Sequence, residues 1–547
     1  MKRIAWVLAA TALLAGCHRP GRAGAADPNW PAGAVTTYQY NNARTGADPL
    51  ETALTLANVN AHSFGLVARL AVDGPIYAQP LYLPGVRIPG QGVHDVVFVA
   101  TENDTVYAFD AHGQLARPLW RRSFLNAAMG VSAVPAAATE CGQILPTVGI
   151  TATPVLDPRT GALLVLARTE ERGRFVQRLH ALNVATGQDQ VPPRVIQAEA
   201  PGRGEGAGAA VPGNPQAKTV RFDPLRNNPR AGLLLTHGVV YLAWASSCDD
   251  RPYHGWVIAY RARDLRQVGA WCATPNGTEG GIWQSGNGLA ADARGDVFFA
   301  TGNGTFDAAG GGRDYGDSVV ELVLGRGGLS VQDYFTPFDQ AQLQRDDKDL
   351  SSAGVILLPQ QPGPNPELLL AQGKKRDIYL LNRRRLGGFH PGNDSQIVQS
   401  LRMANGSAFS LPAYFEHRLY SATVNQLIQV YTVQDGRLLA PPAQGTVRFP
   451  WPGATPVISS NHGRQGIVWL LRTNGRDPNA DTVLYAFNAA DIRQVLYASD
   501  EAGGRAAGAG VKFAVPTVAD GRVYVGTQAA LDIYGLLPTT TSDITKR

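Results

Sequence analysis

Short apolar runs separated by glycine and proline dominate the hydrophobic pattern of this chain. The runs are rich in Val, Ile, Leu, Tyr and Phe and have the length of β-strands. Segments with Pro, Gly or Ser near the start recur eight times: YAQPLYLP at 77, GITATPVLD at 149, RAGLLLTHG at 230, IWQSGNGLAAD at 282, DLSSAGVILLP at 349, SAFSLPAYF at 407, GATPVISSN at 453 and KFAVPTVAD at 512. This recurrence indicates a repeated structural unit.

Each of these segments is followed by two more apolar runs. The second runs are DVVFVAT, ALLVLART, VVYLAWAS, DVFFATGN, ELLLAQGK, HRLYSATVN, GIVWLLRTN and GRVYVGT. The third runs are TVYAFDA, RLHALNV, WVIAYRA, SVVELVL, DIYLLNR, LIQVYTV, TVLYAFNA and LDIYGLL, and most units have a fourth, such as PLWRRSF at 118. The sequence therefore predicts an all-β fold, an eight-bladed β-propeller with four antiparallel strands per blade.

The two ends of the repeat region predict how the ring closes. The eighth unit stops after LDIYGLLP without a fourth strand, and FGLVARLAV (64–72) precedes the first unit. We expect this N-terminal strand to complete the last blade, which leaves no free sheet edge. Two smaller β-domains are the alternative, but no linker interrupts the repeats. The predicted propeller spans 36–537 and is followed by a tail at 538–547.

The N-terminus reads as an export signal. MKRIAWVLAATALLAGC has two cations and then an apolar run that is shorter than the roughly 20 residues of a membrane span. Its ending resembles a bacterial lipobox, which implies removal of residues 1–16 and lipid attachment at Cys17. Simple signal cleavage is the alternative. A Gly- and Pro-rich tether (17–35) follows, so we expect a protein anchored to a membrane of the bacterial cell envelope, on the periplasmic side or at the outer membrane.

Charge and cysteine content bear on the possible partners and disulfides of the protein. The formal net charge is only +5 and we find no Lys/Arg-rich patch, so the sequence does not indicate a nucleic-acid partner. Besides Cys17, three cysteines remain: Cys141, Cys248 and Cys272. At least one therefore has no disulfide partner within the chain. Cys248 and Cys272 could meet at one rim of the third blade, but the sequence does not decide the pairing.

Two stretches resemble the quinoprotein alcohol dehydrogenases. TVYAFDAHGQLARPLW (105–120) is similar to their propeller repeat, and YQYNNARTGADPLETALTLANVNAHSFGLVARL (38–70) is similar to the segment before their first blade. The resemblance implies a PQQ-type propeller, and PQQ (pyrroloquinoline quinone) with calcium as cofactors. The same kind of propeller also serves as a non-enzymatic scaffold in outer-membrane assembly lipoproteins, so fold alone does not decide activity.

The resemblance also implies candidate cofactor-binding residues. GGIWQSG places Trp283 under the quinone ring, and the following ATGNG makes Asn303 a calcium ligand. TEERGR supplies Glu171 as a second calcium ligand. GKKRDIYLLNR places Lys374 against the quinone oxygens, and TPFDQAQLQRDDKDL offers Asp347 as catalytic base and metal ligand, with Asp346 and Asp349 beside it.

The residue types suit this chemistry, although each also has an ordinary structural explanation. An indole is a flat apolar platform, and carboxylate and amide oxygens are ligands that Ca²⁺ prefers. However, Trp283 could pack between blades, and Asn303 before glycine is typical of a turn. Glu171 lies among arginines as in a surface ion pair, Lys374 lies in an ordinary basic turn, and Asp347 could lie in a solvated loop.

Two departures from the family weaken the enzymatic interpretation. The dehydrogenases carry adjacent cysteines over the quinone and then an arginine, whereas TECGQILPTVG has Cys141 alone and no arginine. We therefore expect the ceiling of the pocket to be missing. No Cys-x-x-Cys-His haem motif occurs, so electrons would leave to an external acceptor. The sequence thus favours a degenerate or non-enzymatic scaffold for envelope proteins or glycans. The alternative is a PQQ- and calcium-dependent oxidoreductase that acts on alcohols or sugars.

Overall fold

Every predicted repeat forms one antiparallel sheet in the computed structural model, which describes residues 32–208, 218–403, 406–477, 479–501 and 505–538. The predicted signal peptide (1–16), Cys17 and the tail beyond Pro538 lie outside the described residues. Val35, the last residue of the predicted tether, pairs with Tyr82 of the first blade. The predicted eight-bladed propeller is confirmed.

The strands of each blade follow one another from the axis of the ring outward. Blade one consists of Leu81–Ile88, Gly92–Ala100, Thr105–Asp110 and Trp120–Ser123, and blade two of Val155–Asp157, Ala162–Glu171, Arg174–Asn183 and Arg194–Val195. Blade three consists of Asn227–Asn228 with Leu234–Thr236, Val239–Ser246, Trp256–Arg261 and Arg266–Cys272, and blade four of Ala290–Ala291, Val297–Ala300, Val319–Gly325 and Gly328–Phe335. Blade five consists of Gly354–Leu357, Leu368–Gln372, Asp377–Asn382 and Gln399–Arg402, and blade six of Ala413–Phe415, Arg418–Ser421, Gln426–Gln434 and Ala443–Phe449. Blade seven consists of Val457–Asn461, Arg464–Arg472, Asp481–Asn488 and Val495–Ala498, and blade eight of Thr517–Ala519, Arg522–Gly526, Ala530–Leu536 and Phe64–Ala71.

The remaining elements are short strands and helical turns in addition to the four main strands of each blade. The additional strands are Ala47–Asp48, Val131–Pro135, Thr147–Val148, Glu199–Pro201, Thr219–Arg221, Arg437–Leu438 and Ala507–Ala509. The α-helix Gln340–Arg345 is accompanied by the 3-10 turns Tyr38–Tyr40, Ala127–Met129, Ala136–Thr139, Gln284–Gly286, Ala308–Gly310 and Leu350–Ser352. Within the described ranges, no helix has the length and apolar character needed to cross a membrane.

The last blade joins the two ends of the repeat region, as predicted. Phe64–Ala71 pairs antiparallel with Ala530–Leu536, from Phe64 opposite Leu536 to Ala71 opposite Ala530. The pairing gives the C-terminal sheet its fourth strand, so the ring closes through main-chain hydrogen bonds.

The core is a series of interfaces between neighbouring blades. Eight large clusters of buried apolar side chains each combine residues of two adjacent sheets, and one of them joins blade eight to blade one. The largest fully buried rings, Trp244, Trp256 and Trp469, belong to these clusters. A closed series of interfaces excludes the alternative of two smaller β-domains.

The chain before the ring fills the central channel. We call residues 35–48 the axial segment. Its carbonyl groups accept hydrogen bonds of 2.8 to 3.1 Å from innermost-strand N–H groups of six blades, those of Tyr82, Leu156, Ala291, Leu357, Tyr414 and Ile458. Asn42 Nδ2 donates to Leu235 O of blade three at 2.8 Å, and the Tyr40 hydroxyl accepts from the Val518 N–H of blade eight at 2.8 Å. All eight blades are thereby attached to one stretch of chain.

Arg44 is the buried charge of the axial segment. Its side chain is fully buried, and Nε donates to Leu289 O at 2.8 Å while Nη2 donates to Leu233 O at 3.3 Å. Nη1 donates to Tyr38 O and to the Thr37 hydroxyl, both at 2.8 Å. Burial lowers the pKa of Arg44 to about 9. The guanidinium thus satisfies carbonyl groups that the inner strands would otherwise leave unpaired at the axis.

We expect the substitution Arg44→Met to lower the free energy of unfolding by about 3 kcal/mol or more, because several buried acceptors lose their donor. Chemical denaturation followed by tryptophan fluorescence measures the change. Arg87→Met is the matched control, since Arg87 is exposed, and it should shift stability by less than about 0.5 kcal/mol. Equal effects of the two substitutions would contradict the role assigned to Arg44.

Candidate functional site

The candidate residues lie on loops that share one face of the ring. In a four-stranded antiparallel blade, the loop from the second to the third strand and the loop that enters the next blade emerge on the same side. We call this side the mouth. Asn303 and Lys374 lie on loops of the first kind, in blades four and five. Trp283 and Asp347 lie on loops of the second kind, which enter the same two blades.

Four polar residues converge at this position, and we call them the Lys374 cluster: Asn303, Asp347, Asp349 and Lys374. Lys374 Nζ pairs with Asp347 Oδ1 and with Asp349 Oδ2, the latter at 2.6 Å. The Asn303 backbone N–H donates to Asp349 Oδ1 at 2.9 Å, and its side-chain amide donates to Asp347 Oδ1 at 2.9 Å. Three of the four belong to the residues predicted from the sequence. Asp349 is the addition.

Trp283 lies against the cluster. A Cβ on Gly302 would stand 2.2 Å from Asp349 Oδ1 and 3.0 Å from Trp283 Cδ1, so only glycine permits the close approach of this loop. The Trp283 backbone N–H faces the Ser351 hydroxyl at 3.5 Å. The indole is half-buried, and its Nε1 is buried without an acceptor among the described residues. The ring therefore borders the cluster and is not fully enclosed between blades.

The two aspartates of the cluster differ in depth. Asp349 is only 3% exposed, whereas the Asp347 side chain is 68% exposed. Asp347 also adopts a left-handed backbone conformation with φ of 51°, which is uncommon for residues other than glycine. Asp349 is thus fixed at the base of the cluster beside Trp283, and Asp347 lies at its rim.

The electrostatics of Lys374 are set by these two carboxylates. Burial alone would lower the pKa of Lys374, but the charges and hydrogen bonds of Asp349 and Asp347 outweigh it and raise that pKa. The ammonium therefore stays protonated at neutral pH and holds both side chains in place.

Further carboxyl groups surround the cluster. Loss of hydration raises the pKa of Asp249, and the negative charges of Asp349 and Asp347 raise it further against the hydrogen bond from Tyr253. Asp317 is fully buried beneath the cluster, where its Oδ1 accepts from the Leu350 N–H at 3.2 Å, and burial raises its pKa well above the usual range. Several carboxyl groups of blades three to five therefore surround Lys374.

Glu171 is not brought to this cluster. It ends the second strand of blade two, and its carboxylate accepts from Arg178 Nε at 2.8 Å and Nη2 at 2.6 Å. The ion pair lines a separate pocket of about 330 Å³ that also contains Phe124 and His180, between blades one and two. The first cause of its lowered pKa is the hydrogen bonding of Arg178. The strand pairs with Val131–Pro135 at this end, which separates Glu171 from the axis.

The structure decides the cysteine pairing that the sequence left open. Cys141 is joined to Cys248, across 107 residues, and Cys272 is a buried free thiol. Cys248 therefore does not pair with Cys272. Cys141 has no cysteine beside it in the sequence, and its disulfide partner comes from blade three. Burial raises the pKa of the Cys272 thiol to about 12, as expected inside an apolar interface.

The disulfide fastens a loop on the mouth side of the ring. We call residues 139–147 the strap. Cys141 ties it to the loop of blade three that carries Asp249, and Gln143 Oε1 accepts a hydrogen bond from Lys512 Nζ of blade eight. Gln143 O accepts from the Tyr77 hydroxyl, on the loop that enters blade one, at 3.4 Å. The strap is therefore attached to three blades besides its own.

A polar cleft opens beside Lys374. It has a volume of about 860 Å³ and lies between the helix Gln340–Arg345 and blades five and six. Its wall includes Lys375, Asp377, Arg402 and the exposed ring of Phe338. Such a mixture of charged groups and an aromatic ring suits a hydroxyl-rich small molecule.

Sequence reasoning missed two residues of the site. It favours Asp347 over Asp349, although both belong to one acidic run, and burial distinguishes them. Asp249 carries a signal that could have been used, because it lies between the second and third strands of blade three, the loop type that supplies Asn303 and Lys374.

A scan against protein-family models finds no match, and a search of curated proteins finds none either. Solved structures do match. The quinohemoprotein alcohol dehydrogenase of Comamonas testosteroni is 14% identical, with 94% of this chain and 83% of that chain covered and a TM-score of 0.56. A europium-containing methanol dehydrogenase is 13% identical, with 93% and 99% covered and a TM-score of 0.55. A quinohemoprotein alcohol dehydrogenase of Pseudomonas putida HK5 is 13% identical, with 93% and 81% covered and a TM-score of 0.54. The chain shares the propeller fold of these dehydrogenases.

Peptide mapping without reductant should recover Cys141 joined to Cys248. Because the bond closes a 107-residue loop, we expect Cys248→Ser or added reductant to lower the free energy of unfolding by about 2–5 kcal/mol. The control, Cys272→Ser, should retain the response to reductant. Recovery of a peptide that links Cys248 to Cys272 would contradict the pairing.

Proposed function

We propose that this protein is an oxidoreductase that uses PQQ and calcium to oxidise a hydroxyl group of a small alcohol or sugar. The observation that carries the proposal is the convergence of the Trp283 indole with the Lys374 cluster on one side of a closed propeller. The fold shared with alcohol and methanol dehydrogenases supports it. The polar cleft beside Lys374 supports a hydroxylated substrate.

The residues present fit such cofactors on two observations. Asn303 Oδ1 and Trp283 Nε1 are buried atoms without hydrogen-bond partners among the described residues, which is unusual unless a further group satisfies them. The available donors are carboxylate and amide oxygens, the type that Ca²⁺ prefers. Asn303, Asp347 and Asp249 would hold the ion. Trp283 would support the flat face of the quinone, and Lys374 would lie against its oxygens.

The chain's own residues then perform the proton chemistry. When bound, the quinone would supply a two-electron acceptor and the calcium ion would supply a Lewis acid. Asp349 is the best-placed general base because it is buried next to Trp283. Lys374 and the Asn303 N–H hold its carboxylate in one orientation. A substrate hydroxyl that enters from the cleft would transfer its proton to an Asp349 oxygen.

A non-enzymatic scaffold is less well supported by the same observations. That alternative rests on the missing second cysteine and the missing arginine near Cys141. Cys248 provides a disulfide partner for Cys141, and the strap is attached to three further blades on the mouth side. Because the chain has no Cys-x-x-Cys-His motif, electrons would leave to an external acceptor.

We also propose that the protein is attached to a membrane of the cell envelope through lipid on Cys17. The support is the sequence alone: the cationic start, the short apolar run and the small residues before Cys17. The strap agrees with an exported protein, because disulfides persist in oxidising compartments.

The purified protein should bind PQQ in the presence of Ca²⁺ in an equilibrium titration and should reduce an artificial dye with a panel of alcohols and sugar alcohols. We expect Asp349→Asn to lower kcat/KM by about 10²-fold or more, because the amide cannot accept the proton. Trp283→Ala should weaken PQQ binding.

The matched control is Asp346→Asn, which changes an exposed neighbour of the cluster and should leave dye reduction unchanged. Absence of PQQ binding at micromolar concentration, together with absence of dye reduction across the panel, would remove the proposed activity. PQQ binding that survives Trp283→Ala unchanged would remove the site assignment.

A lipid label fed to a bacterial host should be incorporated into the parent protein but not into a Cys17→Ala variant, which should leave the membrane fraction. Cys272→Ala controls for the loss of a thiol elsewhere. An unlabelled parent protein that is recovered in the soluble fraction would contradict the anchor.

A further inference from the structure

Three side chains of the metal-ligating type meet on the face of the ring opposite the mouth. On that face emerge the loops from the first to the second strand of a blade and from the third to the fourth. Asp520 lies in a loop of the first kind in blade eight, and His112 lies in one of the second kind in blade one. Asp95 lies near the start of the second strand of blade one, at the same end. We call Asp95, His112 and Asp520 the junction site, because they meet where blade eight adjoins blade one.

One imidazole nitrogen of the junction site faces two carboxylates. His112 Nε2 lies 3.1 Å from Asp95 Oδ2 and 3.9 Å from Asp520 Oδ2, and the three ligand atoms all lie within 4.8 Å of one another. A single N–H serves one carboxylate, and 3.9 Å is too long for a hydrogen bond. Zinc bonds of about 2.0–2.2 Å, by contrast, place neighbouring ligand atoms of a tetrahedron about 3.3–3.6 Å apart. The spacing therefore suits three ligands of one metal ion better than a hydrogen-bonded group.

Asp95 is held by main-chain groups outside the junction site. Its Oδ1 accepts a hydrogen bond from the Gly85 N–H at 2.8 Å, which leaves Oδ2 directed at His112. Its carbonyl oxygen accepts from the Ala111 N–H at 2.8 Å, directly before His112 in the chain. Metal ligands are typically oriented by such additional hydrogen bonds. The positions of Asp95 and His112 relative to each other are therefore set by the backbone of blade one.

Asp520 is presented by a tight turn of blade eight. Asp520 and Gly521 both have positive φ, 49° and 71°, between the paired residues Ala519 and Arg522, as in a type I′ hairpin. Burial, and then the negative charges of Asp520 and Asp95, raise the pKa of the buried Tyr82 hydroxyl. Both carboxylates thus act on one buried group at the interface of the two blades.

The negative charge of the junction site is not neutralised by a basic side chain. In the part of the chain that the structure describes, neither Asp95 nor Asp520 forms an ion pair with a lysine or an arginine. The side chains of Asp95, His112 and Asp520 are 30%, 32% and 53% exposed, so an ion can enter from solvent and keep a water ligand. A divalent cation would remove the repulsion between the two carboxylates.

We propose that the junction site binds Zn²⁺ through His112 Nε2, an Asp95 oxygen and an Asp520 oxygen, with water in the fourth position. Imidazole is a ligand for zinc, whereas Ca²⁺ and Mg²⁺ take oxygen ligands in larger numbers. The ion joins two blades whose ligands come from near opposite ends of the chain. The site goes beyond the proposed function, because it lies on the other face of the ring from Trp283 and the Lys374 cluster.

Zinc binding is measured by isothermal titration of tag-free, chelator-treated protein in excess Ca²⁺, which occupies sites built from oxygen alone. We expect one Zn²⁺ per chain to bind at micromolar concentration. His112→Ala should weaken this binding at least about tenfold, because loss of even an indirect partner of a metal ligand has such an effect. Asp520→Asn should also weaken it about tenfold, and it should fold like the parent because Asn-Gly is a favoured type I′ pair.

His462→Ala is the matched control, since His462 is an exposed histidine in the corresponding hairpin of blade seven. It should bind Zn²⁺ as the parent does. Zinc should also slow amide hydrogen exchange in the hairpin 519–522 of the parent but not of Asp520→Asn, because the ion attaches this hairpin to blade one.

Two results would overturn the junction site. One is failure of the parent to bind Zn²⁺ at micromolar concentration. The other is equal zinc affinity of the parent, His112→Ala and Asp520→Asn, which would assign the bound ion to another part of the surface. Neither result bears on PQQ binding or dye reduction.

Discussion

The unpaired inner edges of eight sheets are the constraint on which this structure depends. In a ring of blades, every innermost strand presents N–H and C=O groups to the central channel, and buried groups of this kind need hydrogen-bond partners. The axial segment forms hydrogen bonds with all eight blades. The Arg44 guanidinium donates to the carbonyl groups of Leu289 and Leu233, which the backbone of the segment does not reach. The channel is therefore filled through its middle, which leaves the mouth as the place where side chains from distant blades can meet around open space.

The closed ring brings charged side chains from separate blades together at the mouth. Loops of blades three to five bring several carboxyl groups around Lys374, whereas loops of blades one, three, seven and eight bring Arg230 and Lys512 between aromatic rings. Acidic and basic halves thus face each other across a single axis. The strap touches both, because Cys141 holds the Asp249 loop while Gln143 bonds to Lys512. One loop therefore contacts both the loop of Asp249 and Lys512.

The fold was readable from the sequence because each blade repeats the same local pattern, and the closing strand followed from counting strands in the last unit. Trp283, Asn303 and Lys374 were predicted through the resemblance of their motifs to those of the quinoprotein alcohol dehydrogenases, and the structure places them near one another. Glu171 was predicted in the same way, but it ends a ten-residue strand and forms an ion pair with Arg178 away from the cluster. The Cys141–Cys248 bond and the burial of Asp349 depend on how separate loops pack, which no local pattern contains.

The pairing of Phe64–Ala71 with Ala530–Leu536 has a consequence for biogenesis. Phe64–Ala71 is the first blade strand to be synthesised, and its neighbour is the last blade strand, so the ring cannot close before the strands of all eight blades have been made. The seam that joins the first and last blade strands is therefore formed late in folding.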